Sequence, residues 1–287
     1  MAQQLLDDLV EARAHIGRRR KGLHDFRVAL RRLRSWTRAF RPSLRDTVRK
    51  RSYRELGAIA DASGAARDAE VALAWLAGLE LTPRLTIGAR HLAARLRRDK
   101  RLAMRDLHDH LDAEFTTLVG RLARQLGSYQ VNVGVDQPAA VQNMGMLFTD
   151  TLRQHVAAFD RAVRSAGSPD DETAAHEARI AGKRLRYLLE QSGDPTAAEL
   201  VLRFAGVQDA LGELHDAHVM IHRIAAERAA LADAPRRRGT ADARPGLYTL
   251  AARTRSRATE AYAAFRQRWD ERGDAMLEVA THIASGA

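Results

Sequence analysis

No cysteine occurs in the 287 residues, which removes disulfides, thiol nucleophiles and cysteine-ligated zinc together. Such a chain suits a reducing cytoplasm. Aromatic residues make up only 5% of the sequence, and there are almost no runs of valine, isoleucine and threonine of the kind that alternate along a strand. No stretch approaches the roughly 20 apolar residues of a membrane span. Met1 to Val10 carries Asp7 and Asp8 where a secretory leader would have an apolar segment. Lysine is scarce as well: Lys21, Lys50, Lys100 and Lys183 are the only four, so 43 of the 47 basic residues are arginine. With strands, spans and cysteine chemistry set aside, the expectation is an all-α protein without a membrane segment.

What is present fits that expectation. Hydrophobic residues at 45% and charged residues at 29% describe a folding chain, and the formal charge of +11 is carried by arginine. The guanidinium fork matches phosphate oxygens bidentately. An arginine-rich proteome would produce part of the same excess, so composition alone assigns no ligand.

Apolar residues at helical spacing run through the sequence. Gln3 to Ile16 reads as a first helix, and His24 to Arg38 as a second that stops near Arg41 and Pro42. A third segment begins around Ser43; after Ser63 and Gly64 another opens and runs through Trp75 and Leu79. Thr82 and Pro83 break the chain before a long basic helix from about Ile87 to Leu126. Gly127, Ser128, Asn132, Gly134 and Pro138 read as a loop over 127–138 that joins an N-terminal half, 1–128, to a C-terminal half, 139–287. In the second half a helix holds Met144 to Phe159, and Gly167 to Asp170 ends it. Asp170 or Asp171 then caps the helix carrying His176 to Tyr187. Beyond Gly193 and Pro195, Ala197 to Leu211 leads into Gly212 to Val219, and a polar break at Arg236, Arg237, Arg238, Gly239, Pro245 and Gly246 precedes a last helix from about Leu247 to Ile283.

The stretch His24 to Arg38 carries the argument. At about 100° per residue, His24, Arg27, Arg31, Arg34 and Arg38 fall in one stripe, with Phe26, Leu30 and Leu33 on the other side. Such a helix holds fixed positive charge towards a polyanion while its back is anchored in a core. The pattern H-x2-R-x3-[RK]-R-L-R occurs twice: His24, Arg27, Arg31, Arg32, Leu33 and Arg34 correspond to His176, Arg179, Lys183, Arg184, Leu185 and Arg186 at an offset of 152 residues. A second pair, Gly64, Arg67, Asp68, Ala69 and Val71 against Gly212, His215, Asp216, Ala217 and Val219, recurs at an offset of 148. Two motif pairs in the same order at nearly one offset read as an internal duplication, with two cationic helices brought near a pseudo-two-fold axis. Arg38 is the exception, because its counterpart is Glu190.

These motifs, HDFRVALRRLR with HEARIAGKRLRY and GAARDAEV with GELHDAHV, resemble those of the CHAD (conserved histidine α-helical domain) family. The resemblance implies two four-helix-bundle-like halves forming one domain, a basic surface between them, and non-catalytic binding of inorganic polyphosphate with no cofactor. It carries a polyphosphate-contact role onto His24, Arg27, Arg31, Arg32 and Arg34, and onto His176, Arg179, Lys183, Arg184 and Arg186. The short turn before His24 departs from the family pattern and implies a truncated first helix. A polyphosphate binder is expected in the cytoplasm, in association with polyphosphate granules. Polyphosphate is a strand of charges without bases, so a dense cationic track suffices to bind it through counterion release. The histidines add a charge when protonated and donate hydrogen bonds when neutral. Asp68 and Asp216 either orient neighbouring arginines or cap helices after Gly64 and Gly212.

Two other readings compete. His215, His218 and His222, at i, i+3 and i+7, put three imidazoles on one helix face and could hold a divalent ion, as in helical metal-dependent phosphohydrolases. The cationic surroundings and the lack of a nearby general base weigh against this, and no metal or catalytic residue is assigned. A nucleic-acid-binding helical protein is the other alternative. Single-stranded nucleic acid usually meets stacking platforms, whereas Phe26, Trp36, Trp75 and Tyr187 sit at core positions of their helices. Nucleic acid is therefore expected only as a non-specific competitor.

Overall fold

Leucine and alanine at three- and four-residue spacing build helices from one end of the chain to the other. The computed structural model describes residues 2–41, 44–135, 137–190, 192, 194–232 and 241–285, with side chains at all of these except 39, 84, 128–135, 137–145 and 147. The elements are α1 (Ala2–Ala14), α2 (Gly22–Ala39), α3 (Lys50–Ala77), α4 (Pro83–His110), a π-helical turn (Leu111–Phe115) running straight into α5 (Thr116–Val135), α6 (Gln137–Ser165), α7 (Glu172–Leu189), α8 (Pro195–Ala232) and α9 (Arg244–Ile283). Among the described residues there is no strand, and the chain is all-α as its composition implies.

Contacts divide the chain into two compact units. One comprises Met1–Asp68, Lys100–Gln154 and Ile283–Ala287, and the other Ala69–Asp99 and His155–His282. They are not the two sequence halves, since residues 69–99 join the second unit. The cause is apolar: Ala72 and Leu76 of α3 and Leu85, Leu92 and Leu96 of α4 bury themselves with Met220, Ile224, Leu247 and Leu250 of α8 and α9.

In the first unit α1 lies on α2 and α5. Its Leu5, Leu6, Leu9 and Ala12 are buried, each leucine contributing roughly 1.5–3 kcal/mol through apolar burial. The core side of α2 consists of Leu23, Phe26, Leu30 and Leu33. Phe26 meets Phe115 of the π-helical turn with ring centroids 6.1 Å apart. Arg13 pairs with Asp112 at 2.8 Å and lies 5.9 Å from the Phe115 ring. The short turn between α1 and α2 does not truncate the packing. It closes through Gly17 at φ 77° and through Gly22, where a β-carbon would stand 2.0 Å from the His15 carbonyl oxygen. Only glycine fits there.

In the second unit α7 packs on α8. Phe159 stands edge-on to Phe204 (5.5 Å, 69°) and to Trp269 (5.4 Å, 87°). At Gly88 of α4 a β-carbon would meet Gly246 and Leu247 backbone atoms of α9 at 2.5–2.8 Å, so these helices touch backbone to backbone.

Several expected boundaries move. Ser63 and Gly64 do not interrupt α3, nor does Gly212 interrupt α8; a mid-helix glycine costs only about 1 kcal/mol, which packing of so long a helix offsets. Leu44 and Val48 are buried within turns, and the third helix begins at Lys50 rather than near Ser43. The segment 127–138 is helical on both sides of residue 136 rather than a loop: α5 runs through Gly127 and Gly134 to Val135, and Pro138 occupies the first turn of α6, where its missing N–H has no partner to lose. Pro83 likewise opens α4, with the Thr82 hydroxyl accepting from the Leu85 N–H at 3.4 Å. Asp171 caps α7 by accepting from the Ala174 N–H at 3.0 Å. Pro42, Ser43, Gly193 and the break at Arg236 to Gly239 lie outside the described residues.

Candidate functional site

The two histidine-arginine helices, α2 and α7, present their motifs in the same register of exposure. His24, Arg32, His176 and Arg184 are exposed; Arg27, Arg31, Arg34, Arg179, Lys183 and Arg186 are half-buried; Leu33 and Leu185 are buried. On each helix the buried leucine anchors the back while the cations lie at the water boundary, where long stems pack and charged heads stay solvated. Arg32 and Arg184 stand about 100° away from Arg31 and Lys183 around their helices, so the motif spreads its charge wider than one stripe.

In the first unit α3 fixes the geometry. Arg27 Nη1 donates to the Ser63 hydroxyl at 2.8 Å and to the Ala60 carbonyl at 3.1 Å, and the Ser63 hydroxyl donates to the same carbonyl at 2.9 Å. Arg27 is therefore a structural tie as well as a charge. His24 is held below the ordinary imidazole value, first because neighbouring groups strip it of water and next because Arg67 of α3 faces it. Arg31 and Lys21 act the same way, and Asp25 opposes them.

In the second unit the helix that meets the motif of α7 is α8. His176 Nδ1 lies 3.5 Å from His215 Nδ1, with the rings 5.1 Å apart and inclined at 41°. Burial, then Arg179, His176 and Lys183, push His215 down to about 3. His176 is lowered by the same burial, Arg179 and Lys183, against a weaker opposing effect of Glu177. Both imidazoles are thus neutral at pH 7, among fixed cations. His24 faces Arg67 and His176 faces His215, and Arg67 and His215 hold the same place in the second repeated motif. The motif pairs that recur along the sequence meet across two helices in each unit. Arg67, Ser63 and His215 are the site-forming residues that a search for cationic stripes passes over; for Arg67 and His215 the signal was the second motif at nearly the same offset, and Ser63, just before that motif, had none.

The remaining candidates separate. Asp68 and Asp216 are exposed in the middle of continuous helices, so neither is a cap. The three histidines of α8 go to three different partners: His215 to His176, buried His218 to the Pro169 carbonyl at 2.7 Å through Nε2, and His222 Nε2 to Glu172 Oε2 at 2.6 Å. Among the described residues no group of three histidine or carboxylate side chains is placed to hold a metal ion. Phe26, Trp36 and Tyr187 are buried, and Trp75 packs half-buried against the core at the end of α3. Among the described residues no helix is long and apolar enough to cross a membrane.

A family model for the CHAD domain matches residues 1–225. No curated protein matches the sequence. Among solved structures, the crystal structure of the CHAD domain from the plant Ricinus communis is similar to this chain at 21% identity and a TM-score of 0.69, covering 93% of this chain and 88% of that one. PptA from Streptomyces chartreusis is similar at 19% identity and a TM-score of 0.62, covering 94% of this chain and 96% of that one.

Proposed function

The chain belongs to the CHAD domain family, and from that premise we propose that it binds inorganic polyphosphate, without catalysis, along basic tracks built on α2 and α7. The observation that carries this reading is the repeated register: the same six motif positions, with the same exposure, appear on two helices, each faced by a second-motif residue. The contacts are assigned to His24, Arg27, Arg31, Arg32 and Arg34, and to His176, Arg179, Lys183, Arg184 and Arg186. A strand of phosphates asks for closely spaced cations and no base recognition, and release of its condensed counterions supplies the binding free energy. Burial of Phe26, Trp36 and Tyr187 leaves these helices without the stacking platforms that single-stranded nucleic acid uses.

Competition separates the two polyanions. Long-chain polyphosphate should hold the protein against double-stranded DNA or RNA at equal phosphate concentration. Displacement by either nucleic acid would overturn the assignment. In cells such a protein belongs in the cytoplasm and at polyphosphate granules, which a fluorescent fusion would show.

A further inference from the structure

Apart from the repeated motifs, the second unit holds a groove of about 480 Å3 bounded by the end of α3, the middle of α8 and one side of α9. Its boundary on α8 includes Glu213, which points about 160° away from His215 around the helix. The groove therefore opens on the side of α8 turned away from the paired histidines.

Alanine makes the hollow. The lining positions of α9 run from Arg253 to Arg268, roughly 22 Å along the axis. Arg253, Arg257, Ala261, Ala264 and Arg268 fall within a stripe about 80° wide, so the small side chains stand between the long ones on one face. Ala210 of α8 adds a third methyl group to the floor. Towards the Arg253 end Trp75 and Leu79 of α3 supply apolar surface, both half-buried and packed against the core shared with α4, α8 and α9.

Charge divides the rim. Arg253 Nη1 donates to the Glu80 carbonyl at 3.0 Å, and Arg257 faces Glu213 at 3.8 Å. The acids beside Arg268 on α9 are engaged elsewhere, Asp270 by Arg266 at 2.7 Å and Glu271 by Gln267 at 3.0 Å. Among the described residues Arg268 has no ion-pair partner. Its stem crosses α8 at Gly206, where a β-carbon would lie 3.5 Å from the arginine Cδ, so the cation marks one end of the groove. Glu213 and Glu260 stand along the middle of the rim and repel negative charge there. A polyphosphate strand, charged at every unit, would have to pass both acids. An anion charged at one end, with an apolar body, would not.

We propose that this groove binds a single-chain anionic amphiphile of the fatty-acid class, its carboxylate at Arg268 and its chain lying over Ala264 and Ala261 towards Trp75 and Leu79. The volume is within the range of ligand pockets, and the long apolar floor suits a hydrocarbon chain.

Tryptophan fluorescence tests the arrangement, because a bromine atom in contact quenches an indole. Trp36 and Trp269 are buried, each 6% exposed, whereas Trp75 lines the groove. The full chain is titrated, below micelle-forming concentrations, with dodecanoate brominated at its ω carbon or at its α carbon. The Trp75 signal is the difference between wild type and Trp75→Phe. The expected result is saturable quenching of that signal by the ω-bromo chain, at one ligand per protein, and less by the α-bromo chain. Ala264→Leu, which fills the groove from a half-buried helix position, should abolish the quenching while leaving the melting temperature and polyphosphate affinity unchanged. Arg268→Gln should bind about fivefold more weakly, and Arg272→Gln, an exposed arginine outside the groove, as wild type does. Added long-chain polyphosphate should leave the quenching in place. Full quenching in Ala264→Leu, equal quenching of Trp75 by both bromo isomers, equal affinity of the two arginine variants, or release of the chain by polyphosphate would each overturn the proposal.

Discussion

Replacing Arg31 and Lys183 by glutamine removes one cation from each unit at corresponding points of α2 and α7. Both side chains are half-buried, where a hydrogen bond to a charged group contributes about 1.5–3 kcal/mol net. Taking the low end for two partly solvated sites gives roughly 3 kcal/mol, or about a hundredfold in affinity. The salt dependence is the sharper readout: each phosphate contact on a single strand adds about 0.7 to the log–log slope, so losing two should flatten it by about 1.4. Anisotropy of end-labelled polyphosphate across a sodium chloride series measures both quantities. Arg27 provides the contrast. Because it donates to Ser63 and to the Ala60 carbonyl, Arg27→Gln should also cost about 1–3 kcal/mol of stability, visible as a lower melting temperature. An Arg31→Gln/Lys183→Gln protein with unchanged melting, affinity and slope would remove α2 and α7 from the contact surface.

Further outcomes follow from the same structure. His215 sits at about 3, and His24 and His176 lie below the usual imidazole value. Burial depresses all three first and the neighbouring cations next; a bound polyanion offsets the cations, so binding should take up protons and tighten as pH falls below about 6.5, with a weaker response in His24→Asn/His176→Asn. A pH-independent affinity would contradict this. Without ligand the sign reverses for stability: the unfolded chain binds more protons than the native one between about 6.5 and 3, so melting temperature should fall through that window as pH drops and recover when polyphosphate is added. Gly88→Ala places a β-carbon against the Gly246 and Leu247 backbone and should cost about 1–3 kcal/mol, lowering the melting temperature by several degrees while leaving polyphosphate affinity unchanged in the folded fraction. Because the α8 histidines have separate partners, chelation should leave polyphosphate binding unaltered; binding lost on chelation and restored by zinc would revive the metal-site reading.

The helices were legible because their apolar faces are periodic. Phe26, Leu30 and Leu33 are buried as their spacing demands, and Asp171 caps α7 as its chemistry suggests. Glycine and proline misled where local cost was outweighed or absent. Gly64 and Gly212 lie inside long packed helices, and Pro138 and Pro83 occupy first turns. The repeat identified the residues to watch, but it did not reveal that Arg27 is tied to Ser63 or that His176 faces His215, since those contacts join residues 36 and 39 apart in sequence. The grouping of residues 69–99 with α8 and α9 depends on which apolar faces meet, a tertiary choice that no local pattern encodes.

The account turns on whether α2 and α7 each carry an extended phosphate track rather than a pocket for one small anion. A titration of the full chain with polyphosphates of increasing length, at fixed total phosphate and fixed salt, measures that directly. A track predicts affinity that climbs with chain length until the cations are covered, and that falls as salt rises. Affinity independent of length beyond a few phosphates would contradict it.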